Sequence, residues 1–368
     1  MRIICISTWF FDYIIQLANA LSKKNSVMLV IPANKLPRVH SGSIDKKVDF
    51  QLLGRGKPLY HPTNILILKD FIKKMNEFKP DVIHFQAGGI VNLALLPFLK
   101  KYPLVATFHD VILHTGENNW RQNFIRYCAR KYSNHIIVHG EKLKEQMIKE
   151  YNIPNKKVNA IPIGEHGVEP FKKYEREDLK EDGNLILFFG RIYKYKGLEY
   201  LIKAEPMITK EVQDAKIVIA GTGDDFKKYE KMMVNKDNFI ISNHYIPYKE
   251  GAELFQRCNV VVLPYIDASQ SGVIPTAYGF KKPVIVTDVG SVPEIVDEGL
   301  TGFIVPSKDP EALAEAIVKL LQDEDLRKQM GENAYKKLKT DLSWDKIVEK
   351  TIEVYEKAIN ESKKEGIK

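Results

Sequence analysis

The sequence predicts an α/β protein built as two doubly wound parallel-sheet domains, on three observations. At 368 residues the chain is longer than one hydrophobic core usually serves, so two cores are expected. Short β-branched runs alternate with longer amphipathic stretches: "RIICI", "VMLVI", "DVIHF", "LVATF" and "HIIV" in the first half, "LILFF", "KIVIA", "NVVVL" and "PVIVT" in the second. Between the two series lies "EHGVEPFKKYEREDLKEDGN", rich in charge, with Gly and Pro and little apolar periodicity.

Each run is almost continuously apolar, as a parallel strand must be when helices cover both faces of its sheet. The first series gives an N-terminal domain over residues 1–166, the charged stretch a linker over 167–184, and the second series a C-terminal domain over 185–342. Residues 343–368 read as one long amphipathic helix. Trp344, Ile347, Val348, Ile352, Tyr355 and Ile359 recur there at helical spacing, with Ser343 as N-cap. No strand follows it, so the helix is expected to cross back to the first domain.

Composition narrows the function classes. Apolar residues at 44% and charged residues at 28% are those of a soluble globular protein. The formal charge of +8 suits anionic small molecules, an acidic membrane surface or nucleic acid, although Lys-rich runs such as "KKLKTD" and "ESKKEGIK" also read as plain solvated surface. No basic stripe interleaves with stacking aromatics in sequence, which argues against nucleic acid. Cys5, Cys128 and Cys258 have neither CxxC spacing nor an even count, so a disulfide framework and a zinc site are both disfavoured and a reducing cytoplasm fits. The apolar start "MRIICISTWFFDY" is broken by Asp12, and no run approaches the eighteen apolar residues of a membrane helix. A signal peptide and a transmembrane span are therefore not expected, while peripheral contact with the inner membrane face stays open.

The chemistry is expected at strand ends, where ligands of doubly wound sheets collect. In "FFGRIYKYKG", Gly190 lets the backbone leave its strand tightly, and Arg191 and Lys196 reach one phosphate group from two sides. A rigid guanidinium fork with a point-charge ammonium suits a diphosphate better than a carboxylate, though two exposed loop cations would read the same way. "IVIAGTGDDF" ends its strand at Gly221 and Gly223. In "IDASQSGVIPTAYGF", Asp267, Gln270, Ser271, Gly272 and Val273 form a small polar loop before a helix starting near Gly272, whose first N–H groups suit an anion; Ser271 as an ordinary N-cap is the plainer alternative.

Other candidates read as structural. "SVPE" makes Ser291 and Glu294 a capping box, and Asp309 caps a helix opened by Pro310. His84, His114, His135, His139 and His166 lack metal-ligand spacing with carboxylates, and the adjacent acids in "GDD" are not an Asp-x-Asp element, so neither a metal nor a cofactor is expected.

Together these landmarks resemble the retaining nucleotide-sugar glycosyltransferases of family 4, which have the GT-B architecture of two Rossmann-like domains facing a cleft. The resemblance spans most of the chain: "PDVIHFQAGG", "PLVATFHDV" and "HIIVHGEKLKEQMIKEYNIPNKKVNAIPIG" in the first half, "FFGRIYKYKG", "KKPVIVTDVGSVPEIV" and "GLTGFIVP" in the second. It implies that Arg191 and Lys196 hold the donor diphosphate, that the C-terminal domain takes the nucleotide sugar and the N-terminal domain the acceptor, and that His109 lies near the donor sugar. There a neutral imidazole could donate a hydrogen bond to a sugar hydroxyl, or its carbonyl neighbour could take part as an acceptor. The chain departs from the family where two glutamates eight positions apart are usual, having Ala268 and Thr276 in their places, with Asp267 one residue away. It also has "STWFFDY" where many relatives have a glycine-rich turn, so Trp9 and Phe10 are expected to narrow that side of the cleft.

The expected activity is hexosyl transfer from a nucleoside-diphosphate sugar to a hydroxyl acceptor with retained configuration, in polysaccharide or glycolipid assembly. Trp9, Phe10, Phe11 and Trp120 favour a saccharide or lipid-linked saccharide acceptor at a membrane. The missing glutamate pair leaves open a non-catalytic nucleotide-sugar-binding partner of a glycosyltransferase complex, or a nucleotide-sugar epimerase.

Overall fold

The computed structural model describes residues 1–38, 43–54, 64–88, 90–112 and 120–364, and every statement below concerns these residues. His114, weighed above as a metal ligand, lies outside them. The chain divides into two compact units, Met1–Pro162 with Trp344–Lys368, and Ile163–Ser343.

The first unit alternates strands and helices: β1 (Arg2–Ile6), α1 (Phe11–Ser22), β2 (Ser26–Pro32), β3 (Val48–Leu53), α2 (Asn64–Phe78), β4 (Val82–Gln86), α3 (Ile90–Leu99), β5 (Leu104–Phe108), α4 (Trp120–Tyr132), β6 (His135–Val138), α5 (Glu141–Tyr151) and β7 (Val158–Ala160). The strands pair in parallel in the order β3-β2-β1-β4-β5-β6-β7, with Ile4 opposite Ile83 and Phe85 opposite Ala106. Four residues of β1 and all of β4 and β5 are buried, which is why their sequences are largely apolar rather than alternating, with His84, Gln86 and Thr107 as buried polar exceptions. One core gathers Ile4, Phe85, Phe108 and Val138 from the sheet with Phe71, Met75, Leu96 and Met147 from the helices.

The second unit contains α6 (Val168–Lys172), β8 (Asn184–Phe189), α7 (Leu198–Glu211), β9 (Ala215–Ala220), α8 (Lys227–Glu230), β10 (Phe239–Ser242), α9 (Tyr248–Arg257), β11 (Val260–Leu263), α10 (Val273–Gly279), β12 (Val284–Thr287), β13 (Gly302–Val305), α11 (Pro310–Gln322) and α12 (Glu324–Lys339). Its parallel order is β10-β9-β8-β11-β12-β13. Sequence order reverses between β1 and β4 in one sheet and between β8 and β11 in the other. These are the switch points where adjoining loops diverge and leave room for a ligand.

Residues 167–184, expected as a linker, are folded into the second unit. The Phe171 ring of α6 meets Phe189, Tyr248 and Phe255 edge-on at 5.7, 5.0 and 5.7 Å. Glu181 accepts from Lys282 Nζ at 2.8 Å and from the Arg327 guanidinium at 3.3 Å, both cations being buried. Contacts made by one aromatic ring and one carboxylate leave no periodic trace in a sequence. The boundary between units falls at Pro162 and Ile163.

The last helix, α13 (Trp344–Lys364), belongs to the first unit, where it packs on α1 and across β4, β5 and β6. Its buried stripe is Ile347, Thr351, Val354, Tyr355, Ala358 and Ser362, turned by about one position from the six apolar residues picked by spacing. Thr351 Oγ1 donates to the Ile347 carbonyl at 2.7 Å, and Tyr355 shares a 2.6 Å hydrogen bond with His84 Nδ1, so both polar groups enter the core with partners. Asp309 caps α11 through Ala312 N at 2.9 Å. Residues Pro293–Ile295 form a short 3-10 turn whose N-cap position is Val292, one residue after Ser291.

Candidate functional site

In the second unit the loops leaving β8 and β11 are laced together by backbone. Ile266 N and Asp267 N both donate to the Tyr195 carbonyl, at 2.8 and 3.3 Å. Gly197 has φ +66°, and a Cβ there would stand 1.8 Å from the Pro264 carbonyl oxygen, so only glycine allows the two loops this approach. The lacing places Lys196 Nζ 3.6 Å from the centre of the Tyr265 ring. Tyr265 is buried, and its hydroxyl shares a 3.1 Å hydrogen bond with Ser271 Oγ. Burial pushes the Tyr265 phenol upward, so it stays protonated beside the lysine. A Cβ on Gly190 would sit 4.0 Å from Val273 Cγ2, which brings the start of α10 to the same spot.

Of the residues singled out in this half, Gly190, Lys196, Ser271 and Val273 therefore converge. Gly272, not Ser271, is the N-cap of α10; Ser271, one residue before it, accepts from Val273 N through Oγ at 3.3 Å. Arg191 and Asp267 are exposed beside them, the guanidinium lying 5.6 Å from the Tyr193 ring. Gln270 Oε1 is enclosed and has no hydrogen-bond partner among the described residues. Gly221 and Gly223 have a separate reason to be glycine: a Cβ would stand 1.7 Å from the Gly190 oxygen or 2.2 Å from the Ile192 oxygen. Ala268 and Thr276 are both buried, Thr276 Oγ1 donating back to the Gly272 carbonyl at 3.0 Å. Sequence reasoning missed His166, whose ring lies against Gly272, 3.1 Å from the place a Cβ would take. No motif signals such a neighbour, since it arrives from before α6.

In the first unit His109, just beyond β5, is wholly buried in an aromatic cluster. Phe10 stacks on it at 4.1 Å and 14°, and Tyr13 and Trp9 meet it edge-on at 5.1 and 6.4 Å. Phe10 is held at φ 53°, a left-handed conformation costing a bulky residue about 1–2 kcal/mol. Trp9 and Phe10 are partly buried and pack in this cluster, and Phe11, at the start of α1, is buried.

A second histidine settles the protonation of the first. His139 Nδ1 lies 3.1 Å from the Ile161 carbonyl, which can only accept, so His139 carries its proton there. Burial holds the His139 imidazole down to about 4, hence neutral at pH 7 with a lone pair on Nε2. That atom lies 3.0 Å from His109 Nδ1. His109 must then donate through Nδ1, and its Nε2 is an acceptor. As a neutral imidazole, His109 would therefore present Nε2 as an acceptor rather than as the donor expected from the sequence.

Elsewhere, burial pushes the Cys5 and Cys258 thiols up to about 12, so both are inert at neutral pH. Among the described residues no three His, Cys, Asp or Glu side chains gather as metal ligands, and no helix is long and apolar enough to cross a membrane.

Comparison with known proteins adds the following. Residues 12–164 match the sequence model "Glycosyltransferase Family 4", and residues 170–337 match "Glycosyl transferases group 1". An uncharacterized glycosyltransferase of Methanocaldococcus jannaschii is 29% identical over 83% of this chain and 84% of its own length. The capsular polysaccharide biosynthesis glycosyltransferase CapM of Staphylococcus aureus is 26% identical over 80% and 82%. Among solved structures, Anabaena HepE in complex with UDP superposes with a TM-score of 0.72 at 14% identity, covering 97% of this chain and all of the other.

Proposed function

Because the chain belongs to the family 4-like glycosyltransferases of GT-B architecture, we propose that it moves a hexosyl group from a nucleoside-diphosphate sugar to a hydroxyl acceptor, with retention, in polysaccharide or glycolipid assembly. The observation that carries this reading is the laced loop pair at the β8/β11 switch point, where Lys196, Ser271 and the first turn of α10 meet beside exposed Arg191.

The hard step is departure of the diphosphate while positive charge grows on the anomeric carbon. Fixed cations and amides aimed at the leaving group lower that barrier. Arg191, Lys196 and the amides of Ser271, Gly272 and Val273 take this role, with Gln270 and Asp267 toward the rest of the donor; Gly190 clears the approach. Gly221 and Gly223 hold the neighbouring loop. With Ala268 and Thr276 in place of carboxylates, binding of the donor leans on the diphosphate. His109 accepts a hydrogen bond from a sugar hydroxyl through Nε2, which requires the Phe10 ring to turn aside. The first unit takes the acceptor, a saccharide or lipid-linked saccharide.

Each charge-assisted bond to the diphosphate contributes about 1.5–3 kcal/mol, so loss of one slows transfer at least roughly tenfold. The test is release of nucleoside diphosphate from sugar donors, with and without acceptor, by the wild type and by Arg191→Ala with Lys196→Ala. Unchanged turnover in the double variant would overturn the assignment. An isomerised donor without released diphosphate would mark an epimerase, and donor binding without release a non-catalytic partner.

A further inference from the structure

In "GRIYKYKG" cations and tyrosines are interleaved, and each cation of the diphosphate pair rests near a ring. The Arg191 guanidinium lies 5.6 Å from the Tyr193 ring, Tyr193 stacks on Tyr195 at 6.0 Å and 28°, and Lys196 Nζ lies 5.2 Å from the Tyr195 ring. A nearer ring comes from outside the stretch: Tyr265, just beyond β11, has its centre 3.6 Å from Lys196 Nζ. Lysine carries its charge on a flexible four-carbon stem, so an ammonium that is to meet a phosphate in one geometry needs something to hold it there.

Tyr265 is itself pinned at both ends. Its carbonyl accepts from Thr287 Oγ1 at 2.6 Å and from Ser307 Oγ at 3.0 Å, which ties its backbone to the end of β12 and to the loop after β13. Its hydroxyl meets Ser271 Oγ at 3.1 Å, and the residue is only 2% exposed, so the ring is a fixed platform. A ring face holds an ammonium through its quadrupole and leaves the full positive charge for a ligand, whereas a carboxylate in the same place would hold it by neutralising it. Lys282 shows the contrast: buried, it is met by Glu181 at 2.8 Å and belongs to a structural network.

We propose that Tyr265 is a positioning residue of the donor site, its buried ring holding the Lys196 ammonium with its charge intact where the donor diphosphate arrives. This rests on the reading of Lys196 as a diphosphate ligand, but the hold itself can be measured without any ligand. In the full chain labelled with lysine carrying carbon-13 at Cε, the Lys196 signal is the one missing from Lys196→Arg. Ring current from Tyr265 should displace it upfield; the displacement should vanish in Tyr265→Leu and persist in Tyr265→Phe, which keeps the ring. Calorimetry with UDP, GDP and ADP then reads binding. For whichever binds the wild type tightest, Tyr265→Leu should lose about tenfold in affinity and Tyr265→Phe less than about threefold. In a Lys196→Ala background Tyr265→Leu should cost nothing more, because the ring acts through the lysine; a ring that merely filled the core would cost the same in both backgrounds.

A wild-type Lys196 signal at the ordinary lysine position would overturn the proposal, and that measurement needs no Tyr265 variant to fold. So would a displaced signal that Tyr265→Leu leaves unmoved, wild-type diphosphate affinity in Tyr265→Leu, or an equal loss with and without Lys196. A displaced signal in a wild type that binds none of the three diphosphates would uphold the hold of Tyr265 on Lys196 while sinking the donor reading.

Discussion

Replacing His139 by leucine tests the histidine pair most directly. In the wild type His139 Nε2 accepts the hydrogen bond of His109 Nδ1–H, and His139 Nδ1–H donates to the Ile161 carbonyl. Leucine removes both partners inside a fully enclosed cluster. An unsatisfied buried donor costs about 1–3 kcal/mol and an orphaned carbonyl adds about 1, so the first unit should lose about 2–4 kcal/mol. For a unit of its size that is a fall in Tm of roughly 5–15 °C. All three tryptophans, Trp9, Trp120 and Trp344, lie in the first unit, so tryptophan fluorescence follows its melting separately.

The chemical consequence is sharper than the stability loss. Freed from its partner, His109 should move its proton to Nε2 and become a donor where the proposed reaction wants an acceptor, lowering kcat/KM at least about tenfold. Glutamine at position 139 can offer a side-chain oxygen near the lost Nε2, so His139→Gln should keep the tautomer and most of the activity. Nitrogen-15 NMR of histidine-labelled protein reads the tautomer itself. His109 protonated at Nε2 in the wild type, or a tautomer indifferent to His139→Leu, would refute the reasoning.

Acid should weaken the first unit early. Burial holds His139 down to about 4 and His84 down to about 3, both below the ordinary histidine value, so protons go first to the unfolded chain. Stability should fall as pH drops below about 6.5 and level off only near 3 to 4; tryptophan-detected melting that is flat from pH 6.5 to 4 would contradict this. Glu181→Ala should cost the second unit about 3 kcal/mol by leaving Lys282 and Arg327 buried without their carboxylate, measured by urea unfolding; a loss under about 0.5 kcal/mol would show the network idle. Gly197→Ala should push the β8 and β11 loops apart and weaken donor binding at least about tenfold by calorimetry, with first-unit melting unchanged. Donor affinity equal to wild type would show that this approach does not position Lys196.

The two sheets were legible because parallel strands buried on both faces are largely apolar, and runs such as "LVATF" and "VVVL" need no partner to reveal that. Gly190, Lys196 and Ser271 were legible for a related reason: a glycine and polar groups directly after an apolar strand mark a strand end. What escaped notice was contact between segments far apart in the chain. Phe171 closes onto Phe189, Tyr248 and Phe255 from a stretch that reads as linker, and the His139–His109 bond joins the ends of β6 and β5.

Residue order by itself determined the α/β class, the pair of parallel sheets and the strand-end loops, because period and polarity are local properties of the chain. Tertiary structure alone decided which tautomer His109 adopts, why Gly197 must be glycine, that Trp9 and Phe10 pack inward, and that Trp120, Phe124 and Tyr127 face water. Hydrogen-bond direction and solvent exposure depend on which distant groups arrive at a site, and spacing along a sequence carries no record of that.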